Sequence, residues 1–177
     1  MDLPNPDNLR VVFYPDPVLR VRCTPVEAFE PNLKTLADRM LVLMREANGV
    51  GLAAPQVAVP IRLFVCNATG RPEDDLICIN PRFVELSGAE EREEGCLSLP
   101  GVCVVRRRAL RAVLQAQDVE GRPFEVVGEE MLARVWQHES DHLDGRLITD
   151  NMSSSDEIAN RRIIRQLESE YAGPRRR

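Results

Sequence analysis

The stretch QHESDHLDG, residues 137–145, decides how the rest of the chain is read. It holds both histidines of the protein, His138 and His142, with Glu139 beside the first. On an α-helix, residues four apart stack on one face, so both imidazoles can reach a single metal ion. Glu139 projects next to that face, where it can touch a water at the ion without taking a coordination position. The H-E-x-x-H spacing therefore predicts a metal site whose third ligand comes from elsewhere. The bland alternative is two core histidines bonded to backbone, and the glutamate between them weighs against it.

Outward from that stretch, EEMLARVWQHESDHLDG (129–145) reads as a helix, largely apolar around the histidines through Leu132, Val135, Trp136 and Leu143. Glu129 and Glu130 suit its N-terminal dipole, and Asp144-Gly145 gives a stop. Upstream, PNLKTLADRMLVLMREANG (31–49) carries Leu33, Leu36, Met40, Leu43 and Met44 at 3.6-residue spacing. Pro31 fits the first turn, and Gly49 is placed to end the helix as a left-handed cap. Downstream, 153–171 reads as a third helix, with Ser154 and Glu157 at capping-box spacing and Ile158, Ile163, Ile164 and Leu167 as its docking stripe. The end, GPRRR, reads as frayed.

Between the first two helices the period shortens. Residues 61–68, 76–86, 102–110, 111–120 and 123–128 read as strands, with Glu120-Gly121 as a hairpin turn. At least one of Arg106–Arg108, inside a strand, should point inward or pair with a carboxylate, unless all three are solvated at an edge. Between strands, EEREEGCLSLPG (90–101) places Cys96 after a charged run and a glycine, which makes it the best candidate for the missing ligand. GVGLAAPQ (49–56) reads as a tight turn with one polar residue, Gln56, and no phosphate loop, because no G-K-[ST] follows.

A length of 177 residues suggests one domain, 1–177, and 44% hydrophobic with 29% charged residues excludes disorder. At net charge −5, with no basic stripe interleaved with aromatics, no specific nucleic-acid partner is expected. No apolar run reaches the roughly 18 residues of a membrane span, and the acidic, proline-rich start is unlike a targeting peptide, so no membrane and a cytoplasmic location are expected. Five scattered cysteines argue against a disulfide framework; apart from Cys96 they are expected to be buried small hydrophobes.

With GVGLAAPQ (49–56), EGCLSLP (94–100) and QHESDHLDG (137–145) in that order, the sequence resembles the peptide deformylases, through nearly its full length. The resemblance implies an α+β fold, with antiparallel β-sheets packed around a central helix that carries metal ligands, plus an N-terminal and a C-terminal helix. It implies that Cys96, His138 and His142 hold one divalent metal ion, Fe²⁺ in the cell, with Zn²⁺, Ni²⁺ or Co²⁺ able to substitute. It implies metal-dependent hydrolysis of the N-formyl group of a nascent peptide's first methionine, with Glu139 as general base and then general acid. Gln56 and the Leu97 backbone N–H would stabilise the oxyanion. The nascent chain would pair with backbone near Val50 and Gly51, and Val50 and Val135 would line the methionine pocket. Asp141 would pair with one of Arg106–Arg108 and orient the ligand helix, and a transient ribosome contact would follow from the substrate.

Two rival readings follow from the same residues. A zincin-type peptidase would also use H-E-x-x-H, taking its third ligand downstream, where only Glu157, Glu168 and Glu170 are on offer. A non-catalytic relative with a structural metal site would want a fourth protein ligand, with Cys103 nearby.

Overall fold

A computed structural model describes residues 3–171. Among them the chain forms α1 (Pro31–Glu46), β1 (Gly51–Ala53), β2 (Leu63–Cys66), β3 (Leu76–Ser87), β4 (Glu90–Cys96), β5 (Leu99–Arg108), β6 (Arg111–Gln117), β7 (Pro123–Glu129), α2 (Glu130–Leu143) and α3 (Ser154–Tyr171). Five strands make one antiparallel sheet in the order β1-β2-β3-β6-β7, and β4-β5 form a separate hairpin. This is the α+β class, with α2 between the two sheets.

Three apolar clusters hold the layers together. Leu33, Leu36, Met40 and Met44 of α1 pack on Leu52, Leu63 and Val65 of β1 and β2. Trp136 and Leu143 of α2 pack on Phe64, Ala112 and Leu114 of the large sheet. Leu167 of α3 meets Leu99, Val102 and Val104 of β5. Helical spacing in the sequence thus names the buried face of α1 and α2, because burial of that stripe is what stabilises it. In α3, Ile163, Ile164 and Leu167 dock, whereas Ile158, expected in the same stripe, is 67% exposed. The position of α2 is fixed at both ends. β7 runs into it without a loop, Glu130 taking a left-handed φ of 47° while its N–H donates to Leu110 O. At the other end Gly145 (φ 72°) lets Arg146 N–H return to Asp141 O, closing the helix.

Several local expectations need correction. The segment 90–101 is not a connection between strands but a strand, a turn and the start of the next strand; Leu97 and Ser98 form the turn. Glutamate has low strand propensity, yet Glu90 and Glu91 lie opposite Arg108 and Arg107, and such cross-strand charge pairs stabilise a hairpin. The left-handed residue ending α1 is Asn48 (φ 54°), not Gly49, whose N–H bonds Met44 O. A Cβ at Gly49 would lie 2.7 Å from Leu97 Cδ1, so that glycine serves close approach instead. α3 is capped one residue earlier than expected, by Ser153 Oγ accepting from Asp156 N–H. Cys103 is exposed rather than buried, whereas Cys23, Cys66 and Cys78 are buried as expected. The turn at Glu120-Gly121 is present, with Gly121 at φ 81°. The arginine-rich end, 173–177, lies outside the described residues.

Candidate metal centre

The hairpin and the helix bring three donors together. Cys96 ends β4 at the turn, while His138 and His142 lie one turn apart on α2. One ligand atom from each falls within 4.8 Å of the other two. Cys96 Sγ is 3.3 Å from His142 Nε2, and the two imidazole rings meet edge to face at 5.1 Å. Among the described residues the set is closed at these three. Glu157, Glu168 and Glu170 sit exposed on α3, which removes the third ligand that a zincin would need. Cys103 lies exposed on β5, outside the set, so it does not supply a fourth.

A buried carboxylate that sequence reasoning did not single out organises this centre. Glu94, on β4, accepts a bidentate pair from Arg108 (Nε and Nη2, both 2.9 Å), a bond from Arg134 Nη1 (2.7 Å) and one from His138 Nδ1 (3.2 Å). Burial works against its charge, but the bonds from His138 and Arg108 outweigh that and hold the carboxyl well below the usual range. With Nδ1 donating to Glu94, His138 keeps the Nε2 lone pair for a metal. Arg108 Nη1 also reaches Asp141 Oδ2 at 2.6 Å, so Arg108 is the inward arginine of its triplet. Arg134 is one turn before His138 on a largely apolar helix, and a charge in that position was the signal available.

Glu139 is only 4% exposed, and burial is the leading cause that pushes its carboxyl up to about 7. Its Oε2 has no hydrogen-bond partner among the described residues. Gly51 is what admits it, since a Cβ there would collide with Oε1. Gln56 is held in one orientation: Oε1 accepts from Ala53 N–H (2.8 Å), and Nε2 donates to Ser98 Oγ (3.2 Å) and reaches Cys96 Sγ at 3.5 Å. Cys96, His138, Glu139 and Gln56 line one cleft of about 470 Å³, whose wall also includes Val50, Gly51, Leu97 and Val135; His142 is buried and is not part of that wall. Val50 is exposed in that wall, whereas Val135 is buried and belongs to the α2 core cluster as well as to the wall. Ser98, with its hydroxyl on Gln56, is a further residue that the sequence did not single out.

The donor chemistry fits a borderline-soft divalent ion: two imidazoles and a thiol converge, and a buried carboxylate with an unpartnered oxygen stands beside them. An α+β fold with a helix-borne H-E-x-x-H and a cysteine from a neighbouring hairpin defines a mononuclear metallohydrolase. Comparison with known proteins carries this further. The polypeptide deformylase family model matches residues 8–157. Peptide deformylases of Acidobacterium capsulatum and Dictyoglomus thermophilum are 42% and 47% identical to it over 146 and 135 residues, covering 81% and 76% of this chain and 86% of each relative. A crystal structure of a peptide deformylase from Legionella pneumophila superposes with a TM-score of 0.86 at 38% identity, covering 94% of this chain and 98% of the other. One from Plasmodium falciparum gives 0.90 at 35%, covering 95% and 100%. The chain belongs to the polypeptide deformylase family, hydrolases that remove the N-formyl group from newly made polypeptides.

Proposed function

We propose that Cys96, His138 and His142 hold one divalent ion and that Glu139, Gln56 and Leu97 carry out the chemistry of deformylation around it. The observation that carries this is the convergence of the three donors, two of which, Cys96 and His138, line a cleft that also presents Glu139 and Gln56. When bound, the ion supplies a lowered pKa for water and polarises a carbonyl oxygen. Glu139, with its carboxyl poised at about 7, takes the proton of the attacking water at neutral pH and hands it to the departing amine. The Gln56 amide, fixed through Ala53 and Ser98, donates toward the developing oxyanion, as does the Leu97 backbone N–H from its turn. Formate and a free amino terminus result.

The substrate is the formyl-methionyl end of a nascent chain. Its backbone pairs near Val50 and Gly51, and its side chain enters the cleft beside Val50 and Val135. Fe²⁺ is the resident ion in this reading, and Zn²⁺, Ni²⁺ or Co²⁺ substitute, because imidazole and thiolate accept all of them. Residues 1–177 act as one catalytic domain in the cytoplasm, with transient ribosome contact where nascent chains emerge. No described helix is long and apolar enough to cross a membrane.

The deciding experiment is formate release from an N-formyl-methionyl peptide by anaerobically prepared, Fe²⁺-loaded protein. Wild type should release formate, Glu139→Ala should bind metal without releasing it, and Cys96→Ala should lose the metal. Formate release unaltered in Glu139→Ala would overturn the assigned base.

A further inference from the structure

A second hollow, of about 350 Å³, lies behind α2. Gln137, Ser140, Asp141 and Asp144 line it, and the helical period puts them on the side away from His138 and Glu139. Its wall carries Arg62, Arg82, Arg108 and Arg146 against only two carboxylates, Asp141 and Asp144. Arg62 is matched by Asp144 at 2.9 Å, and Arg108 by Asp141 at 2.6 Å. Of the other two, Arg146 makes a long pair with each aspartate, and Arg82 alone has no carboxylate partner among the described residues. Arg82 donates to the neutral Gln115 Oε1 at 2.5 Å, and no carboxylate of the described residues lies within 4.0 Å of its guanidinium. Arg146 stands 3.7 Å from an oxygen of each aspartate with its side chain 65% exposed. In the same wall Ser140 Oγ is shielded from solvent and has no hydrogen-bond partner among the described residues.

The hollow thus offers donors and positive charge in excess of acceptors. Guanidinium groups at the mouth of a concavity, as exposed Arg82 and Arg146 are here, are matched by the planar or tetrahedral oxygens of carboxylates and phosphates. Pro81 and Phe83 supply an apolar flank beside them. We propose that this hollow binds a small organic oxyanion, a phosphate or carboxylate carrying an apolar group, and that it shares Arg108 with the metal centre. Arg108 turns Nη1 toward Asp141 in the hollow, while its Nε and Nη2 hold Glu94, which in turn holds His138. Two sites built on opposite edges of one guanidinium are energetically coupled, and the coupling runs equally in both directions.

Calorimetric titration of the cobalt-loaded enzyme with phenyl phosphate, phenylacetate and inorganic phosphate tests the site and separates the sources of the oxyanion. At least one aromatic anion should bind with a Kd of about 1 mM or tighter, and at least about tenfold more weakly to the R82A/R146A variant. D141N removes the carboxylate that competes for Arg108 and should bind the same anion about tenfold more tightly, a gain that a misfolded variant could not produce. The visible bands of cobalt change fully when a ligand enters its coordination sphere. Binding with a full band change that persists in R82A/R146A would put the anion on the metal and overturn the proposal. So would the absence of heat up to about 10 mM, binding of inorganic phosphate only, or equal affinity across the three proteins.

Discussion

Glu94 carries more of the metal centre than its place in a charged run suggests. It is the shared acceptor of Arg108, Arg134 and His138, all of them largely out of solvent. Glu94→Gln would leave buried Arg134 without its carboxylate and Arg108 with Asp141 alone, and an expected loss of about 3–5 kcal/mol in unfolding free energy follows. The same substitution frees the Nδ1 of His138, so metal affinity should fall about 10–100-fold in a chelator competition. Unchanged affinity would mean that Glu94 does not orient the ligand. A second expectation concerns Gly51, whose missing side chain is the space for Glu139. Gly51→Ala should retain its fold by circular dichroism yet lose about 100-fold or more in kcat, because a misplaced proton carrier forfeits general base catalysis. The grouping of His138 and His142 with Glu139 beside them was readable from residue type and spacing, and Cys96 from its place after a charged run. Glu94 was not, because four glutamates cluster in Glu90–Glu94 and only register with β5 shows which one turns inward.

The helices were legible as elements because each shows one apolar stripe at 3.6 spacing, and the β6–β7 turn because glycine was needed at Gly121. β4 was not legible: its stability comes from arginines some fifteen residues away in sequence, which no local pattern displays. α3 holds a similar long-range device. The Asn160 side chain is buried, accepting from Cys103 N–H (3.1 Å) and donating to Cys103 O (2.7 Å), so it pairs with β5 as another strand would. Asn160→Ala strands both backbone groups, and an expected cost of about 1–3 kcal/mol should appear as a lower midpoint in urea. If the midpoint does not move, water replaces the amide, and α3 is held by its apolar stripe.

Across the whole molecule the ligands come from two bodies, the β4–β5 hairpin and α2, so an ion bound between them fastens one to the other. Chelation should lower the melting temperature, by an amount that grows with the affinity of the ion removed. The cysteines report the same change. Burial is the leading cause that pushes Cys23 up to about 11, Cys66 up to about 12 and Cys78 well above its ordinary value, so all three stay unreactive thiols. Iodoacetamide at pH 8 should label Cys103 alone in the metal-loaded enzyme, and Cys96 as well once the metal is stripped. Labelling of Cys66 in the folded protein would contradict the core described for α2. The direct passage of β7 into α2 at Glu129-Glu130 has a consequence for how this chain can vary. A helix advances about 100° per residue, so the strand acts as an indexing pin whose register sets the azimuth of the helix. One residue inserted at that joint would swing both imidazoles away from Cys96, whereas the turn at 118–122 faces no such demand. Length changes compatible with activity are therefore confined to places that do not set the angle at which the histidines are presented.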